Sequence, residues 1–109
     1  MKENQLEFVN QKVFQDCMDL RHLFLSENKI TKVPSKLLQD KAMLKTVDLS
    51  RNQLSTIPEN FTKNNERLEN LYLNENLIEE IPMEVFDLNK KLKVGVHRYL
   101  KSDLLYTFW

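Results

Sequence analysis

The chain has 109 residues, with 16 acidic and 16 basic side chains and a formal net charge of zero. That length allows one domain, and the interspersed charge supplies neither the field that holds nucleic acid nor a polybasic membrane patch. No apolar run reaches the length of a membrane span, and a single cysteine, Cys17, excludes an internal disulfide.

The first nineteen residues already belong to a repeating pattern. Leu6, Val9, Val13 and Phe14 return 24 positions later as Ile30, Val33, Leu37 and Leu38, and Asn4 returns as Asn28. Residues 1–19 therefore read as a partial row, and 20–43, 44–67 and 68–91 as three complete rows. Leu20, Leu44, Leu68 and Leu92 stand at the row starts. A fixed interval of this size marks stacked supersecondary units and overrides local propensity.

Within each full row the opening segment is LRHLFLSEN, LKTVDLSRN or LENLYLNEN. The apolar-polar-apolar alternation predicts a short strand with one buried face. A shared register lets the strands lie side by side in parallel, and the rest of each row supplies the crossover that parallel neighbours need. The return path has its own apolar columns: Ile30, Leu54, Ile78; Val33, Ile57, Ile81; Leu37, Phe61, Val85; and Leu38, Thr62, Phe86. Each row then closes into one coil of an α/β solenoid. The short parallel sheet forms its concave face, and loops, 3-10 turns and short helices form the convex side. No coil buries enough apolar surface to fold alone, so stability is a nearest-neighbour property.

Two polar columns have structural explanations. Asn4, Asn28, Asn52 and Asn76 fall where the chain leaves the strand and its backbone groups lose their ladder partners. An amide has two donors and an acceptor on a short stem, so a structural asparagine ladder joining turn and neighbouring coil is expected. Pro34, Pro58 and Pro82 fix φ where the strand must stop.

The pattern fades after residue 94. Leu92-Lys93-Val94 opens a fourth strand, after which Gly95 takes the position of Leu71, His97 that of Leu73 and Leu100 the asparagine column. Residues 95–109 read as a degenerate tail. Met1 begins inside a strand, and MKENQLEFVNQ lacks the apolar core of a secretory signal. The chain reads as a piece of a longer protein whose uncapped ends offer a route to self-association.

These columns resemble the leucine-rich repeat family, in the pattern LxxLxLxxNxLxxLPxxxxFxxxxx over residues 1–94. The 24-residue interval with proline and a late phenylalanine is similar to the typical class of extracellular repeats. IPENFTKNNERLENLYLNENLIEEIP resembles repeats of Toll-like receptor ectodomains. The resemblance implies a non-catalytic protein-recognition module at the cell surface or outside the cell. The rival is an intracellular adaptor, favoured by the free cysteine and the missing signal.

Reactive chemistry has little support. His22 and His97 lie far apart, and a single glycine, Gly95, excludes a glycine-rich phosphate cradle. Glu79-Glu80 reads as a solvated turn and Cys17 as a packed thiol; no catalytic residue, metal or cofactor is expected. Binding is better supported. The outward strand columns read His22, Thr46, Asn70; Phe24, Asp48, Tyr72; and Ser26, Ser50, Asn74, with Glu27, Arg51 and Glu75 at the rim. Phe24 and Tyr72 have no inward role in this register, and exposed aromatics beside charges have the composition of interface hot spots. His22, Phe24, Asp48, Arg51, Asn70, Tyr72 and Glu75 are thus the expected contacts for a protein ligand. The competing reading is that the aromatics only cover the sheet. Asn60-Phe61-Thr62 is an N-glycosylation sequon on the convex side.

Overall fold

The computed structural model describes residues 5–79, 86 and 89–95. Four three-residue strands, β1 (His22–Phe24), β2 (Thr46–Asp48), β3 (Asn70–Tyr72) and β4 (Lys93–Gly95), form one parallel sheet in chain order. His22 stands beside Thr46 and Thr46 beside Asn70, so the 24-residue interval of the sequence is the register of the sheet. Strands this short are extended by further inter-coil bonds: the Leu25 amide donates to Asp48 O and the Glu27 amide to Ser50 O, a pattern repeated at Leu49 and Arg51.

The apolar columns meet in one continuous core. Leu25, Leu49 and Leu73 are buried in successive coils, beside Leu23, Val47 and Leu71. Ile30, Leu54, Ile78, Leu37 and Phe61 complete it from the return path, and Leu44 and Leu68 from the row starts. Val13 is 58% exposed although Leu37 and Phe61 in its column are buried, because no described coil packs on its far side. Stacking, and not the residue type alone, closes the core.

On the convex side the proline column starts tight turns. The Leu37 amide donates to Pro34 O and that of Phe61 to Pro58 O. In the first row Asn10 takes the proline's place, and its Oδ1 accepts from the Lys12 amide at 2.9 Å, capping the 3-10 turn Gln11–Phe14. Pro82, Ile81, Val85, Glu80 and Asn4 lie outside the described residues, as does all of the tail beyond Gly95.

Two expectations about register and burial change. In β4 it is Val94, not Gly95, that stands beside Leu71, while Gly95 stands beside Tyr72. The Leu92 amide donates to Asn89 O as Leu68 does to Asn65 O, so the 24-residue interval holds to Leu92 and the one-residue slip follows it. The slip gives a valine the register position that Leu23, Val47 and Leu71 hold. Cys17, expected to be packed, is exposed. It shares a column with Lys41, Asn65 and Asn89, whose side chains are buried between coils, whereas no described coil precedes its own.

Candidate functional site

The solvent face of the sheet is built by the alternation along each strand. Leu23, Val47 and Leu71 turn inward, which leaves His22, Phe24, Thr46, Asp48, Asn70 and Tyr72 on the other side. Phe24, Asp48 and Tyr72 are direct neighbours in the ladder. Two strand spacings, about 10 Å, therefore separate the two aromatic positions. Phe24 is 47% exposed and Tyr72 40%, the values of side chains that stand on a sheet and not in a core. His22 and Phe24 stack along β1 with ring centroids 6.2 Å apart and planes 14° from parallel. Asp48, between the two aromatic positions, is half-buried, as are Thr46 and Asn70 in the neighbouring column.

The next outward column does not extend this face. Ser26 and Ser50 are buried, contrary to the alternation. The cause lies one residue on, where Glu27, Arg51 and Glu75 all have a left-handed backbone, with φ of 59°, 55° and 58°. That turn ends the strand geometry at each serine and draws the chain under the asparagine column. Asp48 takes part: its Oδ1 accepts from the Ser50 amide at 3.0 Å and from the Ser50 hydroxyl at 2.6 Å, an Asx turn at the strand exit. The carboxylate expected as a binding contact thus also holds its own strand end.

At the rim, Arg51 bridges three coils. Its Nη1 donates to Glu27 at 3.0 Å and its Nε to Glu75. The bond to Glu75 and that carboxylate's charge, followed by those of Glu27, raise the Arg51 guanidinium above its ordinary value. The trio also pins three left-handed residues in line.

Beneath the rim, the Asn52 amide donates to Leu49 O and Ser50 O in its own coil and to Leu25 O in the preceding one, while its Oδ1 accepts from the Ile30 amide. Asn76 repeats the arrangement with Leu73 O, Leu49 O and the Leu54 amide. Asn28 donates to Leu25 O and Ser26 O.

A second polar ladder, unread in the sequence, runs through the ends of the rows 44–67 and 68–91. Asn65 donates to Leu38 O and Lys41 O, and Asn89 to Thr62 O and Asn65 O. The Thr62 hydroxyl donates back to Asn89 Oδ1 at 2.7 Å. Asn65 and Asn89 stand 24 apart, so the interval that exposed the first ladder also carried this one; Cys17 and Lys41 in the same column masked it. Lys41, only 2% exposed, turns its Nζ to Gln39 O at 3.4 Å.

Elsewhere, two clefts of about 210 Å³ each lie on the convex side. One is bordered by Ser35, Lys36, Gln39, Asn60, Lys63 and Asn64, the other by Gln11, Gln15, Lys36, Gln39, Asp40 and Lys41. Among the described residues no three His, Cys, Asp or Glu side chains gather as a metal site, and no helix is long and apolar enough to cross a membrane.

A parallel one-strand-per-coil sheet with amide ladders inside defines a solenoid of stacked repeats. The family description "Leucine rich repeat" matches residues 2–54 and again 42–94, and the chain belongs to that family. Solved structures share the fold. The leucine-rich repeat domain of APL1B superimposes with a TM-score of 0.82 at 23% identity, over 87% of this chain and 29% of that one. TLR13 in its complex with ssRNA13 gives 0.75 at 24% identity, over 84% and 13%. Toll, in the Toll–Spatzle complex of Drosophila, gives 0.60 at 19%, over 84% and 16%. The chain thus spans less than a third of each of these solenoids. Comparison with curated proteins finds no match.

Proposed function

We propose that the outward sheet face binds a protein ligand and that the chain works as a recognition segment of an extracellular or cell-surface leucine-rich repeat protein. The observation that carries this reading is the line Phe24, Asp48, Tyr72, two half-exposed aromatics flanking a carboxylate on three adjacent strands. Aromatic groups on a rigid support lose little freedom when a partner covers them. His22 and Asn70 flank the line, and Arg51 and Glu75 edge it. A protein partner is favoured over nucleic acid because the rim cation is already shared between two carboxylates and the chain carries no net charge. Repeats of the Toll-like type and the sequon at Asn60 support placement outside the cell.

Site-directed photo-crosslinking tests the face. A crosslinking residue at position 24 or 72 is expected to capture a protein that the same residue at position 63, on the convex side, does not. The double change Phe24→Ala and Tyr72→Ala should weaken capture from a neighbouring site at position 46. Equal capture from position 63 overturns the assignment.

An intracellular adaptor is the second reading, and the exposed, unpaired Cys17 favours it. A free surface thiol fits a reducing compartment. A glycan on Asn60 in protein isolated from its own source decides against that alternative.

A further inference from the structure

The sequon Asn60-Phe61-Thr62 is divided by the fold. Asn60 is exposed at the convex cleft bordered by Ser35, Lys36, Gln39, Lys63 and Asn64, where a sugar has room and polar neighbours. Phe61 is buried in the core, and Thr62 is 0% exposed. The Thr62 hydroxyl is bound to Asn89 Oδ1 at 2.7 Å, and the Thr62 carbonyl accepts from Asn89 Nδ2 at 3.0 Å. The acceptor motif demands a hydroxyl at its third position, so the transferring enzyme must reach that hydroxyl. In the folded solenoid it is locked between the third and fourth coils.

We infer that Asn60 is a glycan acceptor only before the coil of Asn89 closes over Thr62, so that the second amide ladder sets the window for modification. The reaction is group transfer from a lipid-linked oligosaccharide. The Asn60 side-chain nitrogen forms a bond to C1 of the first sugar, and the bond from C1 to the lipid pyrophosphate breaks. The pyrophosphate leaves with the electron pair, and the amide loses one proton to a base of the transferase. Once added, the glycan projects from an exposed side chain and opposes no packing. The usual way of abolishing a sequon, Thr62→Ala, would here also cut the ladder, whereas Asn60→Gln removes the acceptor alone.

The inference rests on the sequon as an acceptor, which the extracellular reading also uses, but its test is cell-free and does not depend on where the protein resides. Native full-length chain, and chain freshly diluted from urea after increasing refolding delays, are given purified oligosaccharyltransferase and lipid-linked oligosaccharide. Mass spectrometry reads occupancy of Asn60. Occupancy is expected to be highest at zero delay and to fall as refolding proceeds; in native chain it should be roughly tenfold lower or less, since only locally opened molecules react. Thr62→Ser should follow the same course and Asn60→Gln should give none. Native chain modified as fast as freshly diluted chain overturns the window. No modification at any delay overturns the site itself.

Discussion

The Asn52 side chain donates to the backbone carbonyl of Leu25, 27 positions earlier in sequence, at 2.9 Å, in addition to two carbonyls of its own turn. The same side chain accepts from the Ile30 amide at 3.1 Å. One amide therefore closes its own turn and staples it to the preceding coil, in the interior, where none of these backbone groups can turn to water.

Replacing Asn52 with Leu preserves its size and removes every one of those partners. Leu25 O, Leu49 O and Ser50 O keep donors from Asn28, Asn76 and the Glu27 amide, so only the Ile30 amide is orphaned. That orphan, at about 1–3 kcal/mol, together with the three weakened carbonyls gives an expected loss of roughly 2–5 kcal/mol, read as a lowered urea midpoint. Asn10→Ala removes an exposed turn bond and should cost about 1 kcal/mol. Equal costs at the two positions would contradict the ladder's role.

The second ladder has a gap that makes its own prediction. Asn89 Oδ1 accepts from the Thr62 hydroxyl, whereas Asn65 Oδ1 is buried with no hydrogen-bond partner. The residue standing where Thr62 would be, one coil earlier, is Leu38, which has no hydroxyl. Leu38→Ala leaves both a cavity and the orphan and should cost about 2–5 kcal/mol. Leu38→Thr supplies the donor and should recover about 1 kcal/mol or more of that loss. A threonine variant no more stable than the alanine one would show that the gap has no energetic weight.

Much of this fold was legible in the sequence because a 24-residue interval acts on every column at once, and no isolated propensity can counterfeit that. The inward positions of Leu23, Leu25, Val47, Leu49, Leu71 and Leu73 follow from period two, and the exposure of Phe24 and Tyr72 from the same alternation. The rule failed where strand geometry ends. Ser26 and Ser50 are buried because the left-handed residues after them turn the chain, and Glu and Arg give no hint of positive φ, as glycine would have done. The slip in β4 was equally hidden, since Leu92 keeps the interval and only the backbone pairing beyond it shifts. The second ladder was readable at Asn65 and Asn89 but carried different residues in the two earlier rows.

Arg51 should hold the rim electrostatically. Arg51→Ala leaves Glu27 and Glu75 facing one another across the middle coil and is expected to lower the melting temperature most at low ionic strength. Salt screens exposed charges over a shorter distance as it rises, so the difference from the parent should shrink toward molar salt. A difference that salt leaves unchanged would point to packing of the side-chain stem as the cause.

Binding and stability should separate on the sheet face. Phe24 and Tyr72 keep 47% and 40% of their surface exposed. Their alanine variants should therefore unfold within about 1 kcal/mol of the parent, close to the range of surface changes. Leu49→Ala, one column away but buried, should cost about 2–5 kcal/mol. If either outward aromatic proved as costly to remove as Leu49, it would belong to the core and not to a contact surface.

Asp40 supplies the last test, of backbone conformation. Its φ of 61° places a non-glycine residue in the left-handed region, between Gln39 and Lys41, the two residues joined by the Lys41 Nζ hydrogen bond to Gln39 O. Asparagine and aspartate tolerate this region better than most residues, and a β-branched side chain tolerates it worst. Asp40→Gly should be neutral or gain up to about 1 kcal/mol, relief of local strain being partly offset by the greater freedom of glycine in the unfolded chain. Asp40→Val should lose about 1–2 kcal/mol. Because Asp40 is exposed, neither change disturbs the core, and calorimetric midpoints of the two variants read the backbone alone. A valine variant as stable as the glycine one would mean that the bend at Asp40 relaxes freely, and that burial of Lys41 does not depend on it.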